Sequence, residues 1–211
     1  MLTRCLPLAI ALFTAGAAVI DRIAVSVGEE AITESEVERE IRLTALLNGD
    51  KPDLAPAAKR KVAERLVEQA LIRREIELSR YPAPSAADIE KTFAQIKQVR
   101  FGDEKSFQAA LARLHLTEDD VKQHLRWQTM LLRFIEMRFR PGVHVTEDDI
   151  REYFNTQIKP VAANGAVTLE DYRDRIEQAI SGERADKEME AWLKEARSRT
   201  KIRFHDEAFE K

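Results

Sequence analysis

A chain of 211 residues with 44% apolar content is long enough to bury a sizeable core, which excludes disorder as its default state. Charged residues make up 34%, with 37 acids against 34 bases. A surface so densely yet evenly charged argues against a nucleic-acid partner, whose phosphates call for a basic excess.

Residues 1–17 carry one base, Arg4, then a short apolar run, then Ala15-Gly16-Ala17. That order predicts a secretory signal peptide with an Ala-x-Ala cleavage site. The apolar run is about half of the ~20 residues that a membrane-spanning helix needs, so no stable membrane anchor is expected after cleavage. Cys5, the only cysteine, precedes the run and leaves with it. The exported chain then relies on its core instead of disulfides, and it has no thiol for a nucleophile or a metal. The remainder, residues 18–211, is expected to be one domain: an N-terminal part, 18–157, and a C-terminal helix and strand, 168–206, joined by a loop over 158–167.

The first elements read as a hairpin. Residues 22–27 are apolar and β-branched at alternating or adjacent positions, Gly28-Glu29-Glu30 turns, and Ala31-Ile32-Thr33 returns. Thr33-Glu34-Ser35-Glu36 is a capping box, which predicts a helix to about Leu47, closed by Asn48-Gly49. After Pro52 and Pro56, residues 57–79 keep helical spacing through Ala63, Leu66, Val67, Ala70, Leu71 and Leu78, so this helix belongs near the centre of the fold. Tyr81-Pro82-Ala83-Pro84 stops it. A helix bearing Ile89, Phe93 and Ile96 follows Ser85, and a short one with Phe107, Leu111 and Leu114 follows Gly102.

Thr117-Glu118-Asp119-Asp120 opens the longest break-free segment, expected as a helix to about Phe139. The spacing places Val121, Leu125, Leu132, Ile135 and Phe139 on one face, and Trp127, Met130, Leu131, Phe134 and Met137 on the other. Thr146 opens another capped helix through Phe154, residues 155–167 read as a loop, and Thr168 caps a last long helix with a break expected near Ser181-Gly182. Residues 200–205 alternate with period two. A lone strand is unstable in water, so it is expected to join the N-terminal hairpin and bring the chain ends together.

The motifs of catalysis and metal binding are weak. His115, His124, His144 and His205 are too dispersed for a ligand set, and neither His-Glu-x-x-His nor Gly-x-Ser-x-Gly occurs. The acidic runs at 118–120 and 147–149 each follow a threonine, where capping and dipole compensation account for them. No glycine-rich phosphate loop is present. Neither a cofactor nor a metal is therefore expected. What stands out is the second apolar face of the 118–139 helix. Trp127, Met130, Leu131, Phe134 and Met137 are candidates for an adaptable peptide-binding surface, because thioethers and large rings repack around varied partners. Burial under other helices or under a dimer partner is the competing reading, and a homodimer is left open.

Residues 19–33, Val-Ile-Asp-Arg-Ile-Ala-Val-Ser-Val-Gly-Glu-Glu-Ala-Ile-Thr, with Ser35-Glu36-Val37, resemble the start of mature SurA-type periplasmic chaperones, a hairpin leading into a capped helix. Residues 61–72 resemble that family's second long helix, residues 106–132 and 145–154 the helices leading to its isomerase domains, and residues 191–202 its C-terminal segment. The resemblance covers residues 19–157 and 169–205. It implies a mainly α fold, a multi-helix domain with a small β-sheet made by the N-terminal hairpin and the C-terminal strand. It also implies a periplasmic, ATP-independent holdase whose partners are unfolded or nascent exported polypeptides, including outer-membrane proteins. Family members with isomerase activity carry a parvulin domain of about 90 residues after the segment resembling Tyr153-Phe154, a common small-domain size. About a dozen residues stand there in this chain, so no enzyme activity is expected. A dedicated interaction subunit of an envelope assembly is the alternative, and a peptidyl-prolyl isomerase a more distant one.

Overall fold

The computed structural model describes residues 21–159 and 167–210. The expected signal peptide, residues 1–17, and residues 160–166 of the expected loop lie outside the described residues. The fold is mainly helical, with a small three-stranded antiparallel sheet.

Strand β1 (Ile23–Val27) turns through Gly28, whose φ of +61° suits a residue without a Cβ, into β2 (Glu30–Thr33). Strand β3 (Ile202–Phe204) pairs with the other edge of β1, Val25 facing Phe204 and Val27 facing Ile202, so the sheet order is β2-β1-β3. The C-terminal strand thus closes onto the hairpin. Period-two alternation makes this work: Val25 and Val27 point into the core while Ser26 receives His205, with Oγ and Nε2 3.0 Å apart.

Helix α1 (Glu34–Asn48) starts on a complete capping box, in which the Thr33 amide donates to Glu36 Oε2 at 2.8 Å and the Glu36 amide to Thr33 Oγ1 at 3.3 Å. Helix α2 (Pro56–Ser79) has proline at its first turn, where no amide is needed. Ala63, Val67, Ala70, Leu71, Ile72 and Ile76 bury one side of it, while Leu78, counted on the same stripe, is 73% exposed because the stripe outruns the core. Lys59 enters this interface almost fully buried, its ammonium 2.7 Å from Glu38 and 3.2 Å from Glu34. Burial disfavours the charged amine, but the hydrogen bonds and charges of Glu38 and Glu34 outweigh it and hold its pKa above the ordinary value.

Helices α3 (Ala86–Phe101) and α4 (Glu104–Leu114) form a second cluster with the end of α1 and the start of α5 (Glu118–Arg138) around Phe93, Phe107 and Leu125. The principal core lies between the sheet, α2, the far half of α5 and the far half of α7 (Leu169–Arg199). Helix α5 therefore serves two cores in succession, and its buried side turns along its length. This corrects the expected division of its faces: Phe134 is fully buried, whereas Leu132 is 64% exposed.

Helix α6 (Glu147–Tyr153) runs on into a π-helical turn over Phe154–Ile158, where a loop was expected from Asn155; Phe154 and Ile158 pack against α7 and hold that turn in place. Helix α7 is also unbroken at Ser181-Gly182. A mid-helix glycine costs about 1 kcal/mol, less than the burial of Ile176 and Ile180 before it and Ala185 and Leu193 after it. Ile150, Phe154, Ile176 and Ile180 give this α6–α7 arm a core of its own. No helix among the described residues is long and apolar enough to cross a membrane.

Asp149 ties the arm together. Its carboxylate accepts from Arg184 at 2.6 Å and from the Thr146 amide and hydroxyl at 2.8 Å each. These donors, Arg184 first, lower its pKa to about 2. A depressed carboxyl contributes stability that is present above its unfolded value, near 3.8, and is lost as the pH falls through about 2. Asp149→Asn is accordingly expected to flatten the fall of Tm between about pH 4 and pH 2; an unchanged Tm profile would contradict this role.

Candidate functional site

Three helices and one strand line an open cleft of about 540 Å³, within the size range of small-ligand pockets. Each helix contributes one face at helical spacing: Glu36, Arg39, Glu40 and Leu43 from α1; Leu66, Gln69, Arg73 and Ile76 from α2; Asp120, Gln123, His124, Trp127 and Met130 from α5. Strand β2 adds Glu30 and Ile32. The floor is apolar, made by Ile32, Leu43, Leu66, Ile76, Trp127 and Met130.

Charge pairs ring this floor and join its walls. Arg73 Nη1 stands 3.4 Å from Glu30, and its guanidinium lies over the Trp127 ring at 5.1 Å, so β2, α2 and α5 meet at one side chain. Arg39 reaches Asp120 at 3.6 Å across the α1–α5 wall. Glu40 receives two neighbours, His124 Nδ1 at 3.4 Å and Arg65 Nη2 at 3.5 Å. Asp120 and Glu36 also serve as the reciprocal acceptors of the Thr117 and Thr33 capping boxes. Two helix starts are thereby fastened to the rim, which makes the cleft a preformed feature of the backbone.

Of the five candidates from sequence, Trp127 and Met130 lie side by side in the cleft, both half-buried. Leu131 packs half-buried against the principal core and does not line the cleft. Phe134 takes the other reading, burial under other helices, and does not join the surface. It is wholly enclosed, with the rings of Tyr81, Phe139 and Trp192 at 5.5, 5.5 and 5.6 Å. Met137 is half exposed and stands outside the cleft. Arg73, Glu30 and Leu43 were missed by sequence reasoning, since nothing local marks residues that meet Trp127 only after folding.

No family model and no curated protein matches this chain.

The site itself carries the functional reading. The four histidines are separated: His115 caps α4, His124 faces Glu40, the His144 carbonyl accepts from Arg184, and His205 meets Ser26. Among the described residues no group of three His, Cys, Asp or Glu is placed to hold a metal. The described lining of the cleft bears no hydroxyl, thiol or amine side chain. What it offers a ligand is an apolar floor for burial and a charged rim for pairing.

Proposed function

We propose that this protein is an exported holdase of the SurA type, binding unfolded polypeptide in the Trp127–Met130 cleft without ATP and so keeping it from aggregating. The observation that carries this reading is the cleft's construction. An apolar floor with one large ring and one thioether accepts varied side chains, and a rim of paired charges keeps the empty site soluble. Burying a client's apolar side chains against this floor supplies affinity at about 25 cal/mol per Å² before the costs of ordering the client, so weak, reversible binding follows. The order of elements supports the same reading, since the hairpin, the capped helices and the returning terminal strand stand in the order that the resemblance implies.

The test is light scattering by an unfolded outer-membrane β-barrel protein diluted into buffer with residues 18–211. Suppression near stoichiometric ratios, repeated with an unrelated unfolded protein, is the expected result. Scattering unchanged with both clients would overturn the holdase reading and point to a dedicated partner.

A further inference from the structure

We propose that Glu77 and Arg126 make the cleft selective for apolar segments bracketed by opposite charges, one basic and one acidic, over segments bracketed by like charges. The proposal rests on the peptide-binding reading above and adds the chemistry of the preferred segment. Its basis is an elimination around the rim. Glu30 and Arg73 pair with each other, as do Arg39 and Asp120; Glu40 is taken by His124 and Arg65, and Glu36 by its capping box. Of the charged side chains lining the cleft, only Glu77 and Arg126 make no ion pair or side-chain hydrogen bond with any described residue, each other included. Both are exposed, so neither needs an internal partner to offset desolvation.

Their placement sets the pattern. Glu77 lies on α2 one turn beyond Arg73 and next to Ile76, while Arg126 lies on α5 beside Trp127 and one turn before Met130. An apolar segment resting on the floor therefore meets a free carboxylate at the α2 wall and a free guanidinium at the α5 wall. One basic and one acidic flank satisfy both, whichever way the backbone runs. Two basic flanks leave one facing Arg126, and two acidic flanks leave one facing Glu77, and like-charge juxtaposition is how sites reject alternatives. Exposed pairs of this kind change an equilibrium by up to about fivefold each.

The experiment is fluorescence anisotropy with three labelled peptides sharing one apolar centre and flanked by Lys and Glu, by two Lys, or by two Glu. The full exported chain is expected to bind the mixed peptide about threefold more tightly than either other. Glu77→Lys is expected to move the preference to the doubly acidic peptide, and Arg126→Glu to the doubly basic one. In about 1 M salt, where charges are screened beyond about 3 Å, all three affinities should converge. Equal affinities for the native chain, or an order unmoved by either reversal, would overturn the selectivity while leaving peptide binding in place. Failure to bind any of the three would remove the peptide-binding reading itself.

Discussion

Phe134→Ala is expected to lower the unfolding free energy by about 3–5 kcal/mol, the range for truncating an enclosed aromatic. The ring has no exposed surface and lies where α5 meets α7 and the segment that follows α2, edge-on to Tyr81, Phe139 and Trp192. Its removal forfeits the transfer energy of the ring, the edge-to-face contacts and the packing of the space left behind, because close-packed surroundings relax into such a space only in part. In a chain of this size each kcal/mol corresponds to about 2–4 °C, so a drop in Tm on the order of 10 °C is expected. Urea unfolding followed by circular dichroism measures it. A loss under about 1 kcal/mol would show that this face of α5 is not held by the core and could be free to meet a client.

The opposite profile is expected for Trp127→Ala combined with Met130→Ala. Both side chains are half-buried, so part of their apolar surface faces the cleft instead of the core. A buried aromatic anchor at a binding surface is worth about 2 kcal/mol or more, about thirtyfold in affinity. The double variant should therefore lose most of its suppression of client aggregation and bind peptide at least tenfold more weakly. Its stability should fall less than that of Phe134→Ala, through the lost contacts with the core and with the Arg73 guanidinium. Titration of a labelled peptide beside a thermal melt separates the two effects. Undiminished binding by a folded double variant would place the client elsewhere on the surface, where Leu132 and Met137 are exposed.

These two predictions divide residues that share one apolar stripe in the sequence, and the division shows which features are local. The helix starts at Thr33, Thr117, Thr146 and Thr168 were legible because a capping box closes between a residue and its third neighbour, and each is present as expected. The hairpin was legible from its alternation around Gly28, and the strand at 202–204 from the physical need of a lone strand for a partner. Tertiary structure decided the rest. The periodicity of α5 states that it has two apolar faces, but two successive cores choose which residues each will bury, enclosing Phe134 and leaving Leu132 in water. Glycine at 182 weakens a helix locally, yet packing on both sides of it carries α7 through. The cleft was half legible, as Trp127 and Met130 share a face at three-residue spacing. Their partners Glu30, Leu43 and Arg73 come from β2, α1 and α2 and carry no mark of the site in the sequence. Hydrogen bonds within a turn are determined by neighbours along the chain, whereas burial and charge pairing across a cleft depend on which surfaces remain once every helix has found its core.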